Sequence, residues 1–175
     1  MEWVEKLAAA VDWQPRDLDI EWERVESRLG TPLPSDFKRF CEVFGRGHFS
    51  DYLTVYSSSG GATAEVVESL EGDWRTIEQH PGVAGNYEPY GLYRPGGTGI
   101  LSWGVTATAC DLAWLVGDGV APDDRPVLAR GDASGWKRHE LTMSEFAYRI
   151  LLDESFDFGV AGLVEPCYLP LPECA

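Results

Sequence analysis

The sequence predicts an α+β fold, with N-terminal helices, an antiparallel meander sheet of about five strands and a C-terminal helix packed on it. Two observations carry this expectation. Amphipathic segments of helical period are grouped before and after a run of short extended segments, rather than alternating with them. The extended segments lie close together in sequence, which suits an antiparallel meander.

The first element is "MEWVEKLAAAV", where Trp3, Leu7 and Val11 recur at four-residue spacing and Pro15 follows. "DIEWERVESRLG" reads as a second helix, with Asp19 in the N-cap position, Trp22, Val25 and Leu29 on one face and Gly30 as the stop. In "TPLPSDFKRFCEVFG", Pro34 suits the first turn, and Ser35 and Asp36 sit at the positive end of the helix dipole. Phe37, Phe40, Cys41 and Phe44 form its apolar stripe, and Gly45 ends it.

A strand is expected in "DYLTVY", which is rich in β-branched and aromatic residues. "TAEVVESLEGDWRTIEQH" has helical propensity with Gly72 as a point of interruption. From Pro81 to Gly99 the chain is dense in Gly, Pro and Tyr and reads as an ordered surface loop. Four extended segments follow, "ILSWG", "CDLAWLV", "RPVLAR" and "GWKRHEL", separated by "GDGVAPDD" and "GDASG" where the turns fall. A last helix, "TMSEFAYRILLD", opens on a capping box of Thr142 and Glu145.

At 175 residues the chain suits one domain. Its core is expected at about 20–152, with an extra helix in 1–15 and an irregular acidic tail over 155–175. That tail has three prolines in its last ten residues. No run of apolar residues is long enough to cross a bilayer, and the N-terminus has no cationic leader, so a cytoplasmic protein is expected. The cysteines Cys41, Cys110, Cys167 and Cys174 are too irregularly spaced for a zinc site or a disulfide framework and read as free thiols.

The formal charge of −15 is the most informative number. A field of that sign repels phosphate backbones and attracts basic proteins, so a basic protein partner is expected and a nucleic-acid partner is not. The acidic residues Glu68, Glu71 and Asp73 precede the candidate aromatic anchor Trp74, which lies between Asp73 and Arg75, and Asp118, Asp123 and Asp124 gather in one loop. These seven residues are the candidate partner-binding set. Most of the seven tryptophans are expected to supply core area.

No catalytic, metal or cofactor site is expected. "GRGHFS" nearly spells a dinucleotide loop, but a helix precedes it and a strand follows, the reverse of what a pyrophosphate site needs. "RPGGTGI" lacks the lysine of a P-loop, "GDGVAPDD" lacks the ligand alternation of a calcium loop, and His48, His80 and His139 form no metal pair. No nucleophile elbow occurs either. These absences point away from an enzyme.

The blocks "RLGTPLPSDFKRFCEVFGRGHF", "LTVY", "LYRPGGTGILSWGVT", "LAWLV", "RPVLAR" and "GWKRHELTMSEFAYRILL" resemble, in order and spacing, the SUKH superfamily in its SMI/KNR-type branch. The likeness runs from Ile20 to Leu152; Thr98 and Gly99 lengthen the family's "PGG" lead-in to the sheet. The resemblance implies a non-catalytic binding module. Bacterial members serve as cytoplasmic immunity proteins that neutralise a cognate toxin, often a nuclease, by direct contact. Eukaryotic relatives act as regulatory scaffolds in cell-wall and signalling control, which is the alternative. A monomer or a weak dimer is expected.

Overall fold

The computed structural model of the protein describes residues 2–131, 135–163 and 165–171. Within them the helices are α1 (Glu2–Ala10), α2 (Trp22–Leu29), α3 (Ser35–Phe44), α4 (Glu65–Gln79) and α5 (Met143–Leu152). The strands are β1 (Gly47–Phe49), β2 (Leu53–Val55), β3 (Gly99–Thr106), β4 (Asp111–Val116), β5 (Val127–Arg130), β6 (Lys137–His139) and β7 (Tyr168–Pro170). They form one antiparallel sheet in the order β6-β5-β4-β3-β2-β1-β7. The α+β class is as predicted. The strand count is seven rather than about five.

Both additional strands come from regions that looked irregular. "GRGHFSDYLTVY" is a hairpin rather than a loop and one strand, because Ser50 and Asp51 take left-handed conformations (φ 53° and 52°) and turn the chain between β1 and β2. The tail is not wholly irregular, since β7 pairs with β1 in the register His48↔Leu169. What holds it is Tyr168, which packs on Trp13, Phe44 and Phe49 at 4.7–5.0 Å and donates its hydroxyl to the carbonyls of Phe44 (3.1 Å) and Gly45 (3.2 Å). Gly47 makes room for that ring: a Cβ there would lie 2.3 Å from the tyrosine oxygen. Cys174 and the "GDASG" residues 132–134 lie outside the described residues.

The two faces of the sheet are covered differently. On one, Leu101, Trp103, Leu112, Trp114 and Val127 meet the helices, with Phe37 of α3 against Trp114 (5.1 Å) and Phe146 of α5 against Trp103 (6.2 Å). α1 completes this layer with Val4, Leu7 and Ala8, a face rotated by about one residue from the Trp3, Leu7, Val11 stripe. On the other face, Ile100, Ala113 and Leu128 form a small cluster beneath Tyr87, Tyr90, Leu115 and Trp136, each of which is half-buried. A 3₁₀ turn, Pro81–Tyr87, begins the segment expected to be irregular and lays those tyrosines on the sheet.

Helix starts are fixed by distant residues. α2 begins at Trp22 rather than after Asp19, because Asp19 and Ile20 are extended and bridge Gly61. Asp36, only 6% exposed, accepts the Ser144 amide (2.8 Å) at the first turn of α5. Thr142 caps the same helix by accepting from the Glu145 amide, as its capping box predicts. α4 runs unbroken through Gly72.

Candidate protein-binding surface

The four α4 candidates separate according to helix face. Val66, Val67 and Leu70 turn into the core, which leaves Glu68 exposed and brings Glu71 to Arg28 of α2 in an ion pair of 2.7 Å. Trp74 is not the exposed anchor that its acidic neighbours suggested. It is half-buried, its indole donates to the Tyr93 carbonyl (2.9 Å), and Arg94 lies 5.8 Å from its ring. The nonlocal contact with buried Tyr93 decides this, and sequence spacing carries no sign of it.

Asp118 sits on the exposed turn after β4, and Asp123 and Asp124 are exposed on a second 3₁₀ turn, Pro122–Asp124. Asp123 accepts the Ser35 amide and so serves as a cap for α3 from another part of the chain. Next to it, Arg125 is 5% exposed and donates to Pro32 O (2.7 Å) and Thr31 Oγ1 (2.6 Å). Burial pulls its pKa below the ordinary arginine value. An open cleft of about 390 Å³ lies here, lined by Asp123, Asp124, Arg125, Thr142, Glu140 and Glu145. Glu140 pairs with Arg138 and Glu145 with Arg149 (2.8 Å).

One segment links these two groups. Arg28 holds Glu71 at its start and the Ser35 amide holds Asp123 at its end, so residues 28–35 bridge carboxylates that are 52 positions apart in sequence. Asp73 does not join them. It is half-buried on α4. The less-covered side of the sheet carries a group that sequence reasoning missed.

That group begins with Asp111 of β4 and Arg130 of β5, directly opposite each other in the ladder and joined at 2.6 Å. Arg130 also donates to Asn86 O (2.7 Å), which accepts from the Trp136 indole as well (3.0 Å), and its guanidinium lies 5.2 Å from the Trp136 ring. Asp73 is half-buried, and its titration responds to Tyr87 and Asp111. Burial raises its pKa above the ordinary aspartate value, the Tyr87 hydroxyl opposes that shift, and the charge of Asp111 adds to it. Burial and then Asp73 push Tyr87 upward; burial, with Asp111 and Asp73, does the same to Tyr56. The charges at the ends of "CDLAWLV" and "RPVLAR" were the available signal, but their pairing depends on a register that spacing alone does not fix.

Among the described residues no group of three or more His, Cys, Asp or Glu is placed to hold a metal ion. His48 lies 3.2 Å from Asp51 across the β1–β2 turn. Cys41, fully buried, has its thiol pushed up to about 12 by desolvation, which makes it a poor nucleophile. Cys110 and Cys167 are also free thiols. Among the described residues no helix is long and apolar enough to cross a membrane. No family model, curated protein or solved structure matches the chain.

Proposed function

We propose that this chain is a non-catalytic, cytoplasmic protein-binding module of the SUKH type, an immunity protein that covers a basic toxin domain, with a nuclease as the favoured target. The observation that carries the reading is the charge of −15, displayed as Glu68, Asp118, Asp123 and Asp124 on exposed positions. A nuclease groove is itself positive, so an acidic protein surface can take the place of the nucleic acid there. The order of blocks from Ile20 to Leu152 supports the same reading, and it would make the α3–β1 turn and the lead-in to β3 scaffold features rather than ligand loops.

The direct test is protection. The reading expects a toxin domain to be encoded immediately upstream; its expression should arrest growth, co-expression of this chain should restore it, and the two proteins should co-purify. Arrest that this chain fails to relieve, with no complex recovered, would contradict the proposal.

A further inference from the structure

We infer that the edge of β1 is a strand-addition site for an extended segment bearing a tyrosine, and that β7 is a detachable strap with which the chain's own tail fills it. Recognition of this kind takes its affinity from main-chain hydrogen bonds and its specificity from a pocket for one side chain. Both parts are present here.

The pocket is built by residues far from the tail in sequence. Trp13 and Phe49 stand 4.7 Å from the Tyr168 ring and Phe44 5.0 Å, and Gly47 leaves the space that a Cβ would take from it. At the end of α3 the carbonyls of Phe44 and Gly45 have no helical partner of their own, and both accept from the Tyr168 hydroxyl (3.1 and 3.2 Å). Phenylalanine would fill the same space and leave those buried carbonyls unmet, so the pocket selects tyrosine.

The backbone of the tail is held separately from its side chain. The Ser50 amide donates to Cys167 O (2.9 Å), the Leu171 amide donates to Arg46 O (3.0 Å), and Ser50 Oγ donates to Glu165 O (3.1 Å). With His48 opposite Leu169, residues 167, 169 and 171 turn their backbone groups to β1, while Tyr168 and Pro170 turn theirs away. Pro170 needs no hydrogen on that side, and it closes the outer edge of β7 to a further strand. The edge of β1 therefore takes one strand and the sheet stops.

Apart from Tyr168, little of the strap is buried. Leu169 is 44% exposed, Leu171 37% and Leu163, in the segment leading to it, 81%. Upstream the chain is pinned where the Val160 amide donates to Ile150 O (2.8 Å), so opening can stop there and leave α5 in place. β1 keeps its pairing with β2, and β2 its pairing with β3, when β7 leaves. A short terminal strand with one buried side chain belongs to the part of a fold that opens before the rest.

The test uses the full chain carrying Tyr168→Ala, which empties the pocket, and a dye-labelled peptide of residues 165–171 with serine in place of Cys167. Fluorescence anisotropy should show the peptide binding the variant at least about tenfold more tightly than wild type, where the strap occupies the site. Phenylalanine in place of the peptide's tyrosine should weaken binding by about tenfold, the effect of losing its hydrogen bonding to the two carbonyls. Equal binding to both chains, or none to a variant that keeps the wild-type circular dichroism, would overturn the inference. If the variant does not fold, hydrogen exchange in the wild-type chain decides. The Ser50 and Leu171 amides, bonded between β1 and the tail, should exchange at least about tenfold faster than the Tyr56 amide, which is bonded to Trp103 O (2.8 Å). Equal rates would mean that β7 opens only with the whole domain, and would overturn the inference as well.

Discussion

The two faces of the sheet are made from the same strands by the same alternation, yet they differ in kind. Facing the helices, Trp103, Trp114, Leu112 and Val127 lie within a continuous core; facing away, Asp111 and Arg130 sit among half-buried tyrosines. The first face holds the fold together through area removed from water. The second keeps charges that such a core would exclude, and groups retained at that cost are the ones to suspect of function.

The contrast can be broken most severely from the helix side. Phe37→Ala should destabilise the protein by about 3–5 kcal/mol in chemical denaturation, since the ring is fully buried against Trp114. At the sheet edge Gly47→Ala should cost about 1–3 kcal/mol by driving a methyl group into Tyr168, and hydrogen exchange should show β7 opening first.

His139 supplies a pH-dependent version of the comparison. Its ring faces the helix side, 5.0 Å from Phe146 and near Phe156 and Phe158, and burial, with Lys137, lowers its pKa below 6.5. The unfolded chain therefore binds that proton more readily than the folded one. Stability from this residue is complete above pH 6.5 and declines as the pH falls below it. His139→Phe should flatten that part of a stability-versus-pH curve.

Substitutions on the other face should do far less to folding. Arg130→Met should cost about 1 kcal/mol or less, because its ion pair with Asp111 is only partly buried. Asp73→Asn should slightly raise stability at neutral pH. Its folded pKa is raised, so the charged form opposes folding, and that penalty is present at neutral pH and fades as acid protonates the carboxyl.

The helix-facing side was largely legible in the sequence because hydrophobic period is a local signal. The stripe of Phe37, Phe40, Cys41 and Phe44, the stop at Gly45 and the capping box at Thr142 can all be read within a dozen residues. What could not be read depends on distant partners. β7 exists because Tyr168 reaches the carbonyl of Phe44, and Asp36 and Asp123 were read as charges when they are caps for helices elsewhere in the chain. Trp74 looked exposed by its neighbours and is held by Tyr93. The Asp111 and Arg130 pair, held with Trp136 on the Asn86 carbonyl, needs strand register and the path of the 81–99 segment together, neither of which spacing fixes.

The proposal that the acidity steers this protein to a basic partner is tested most directly by the association rate with the toxin domain expected upstream, measured by stopped flow across ionic strength. The account predicts a rate that falls by about tenfold or more from low to high salt while the dissociation rate changes little. An association rate indifferent to salt would contradict it.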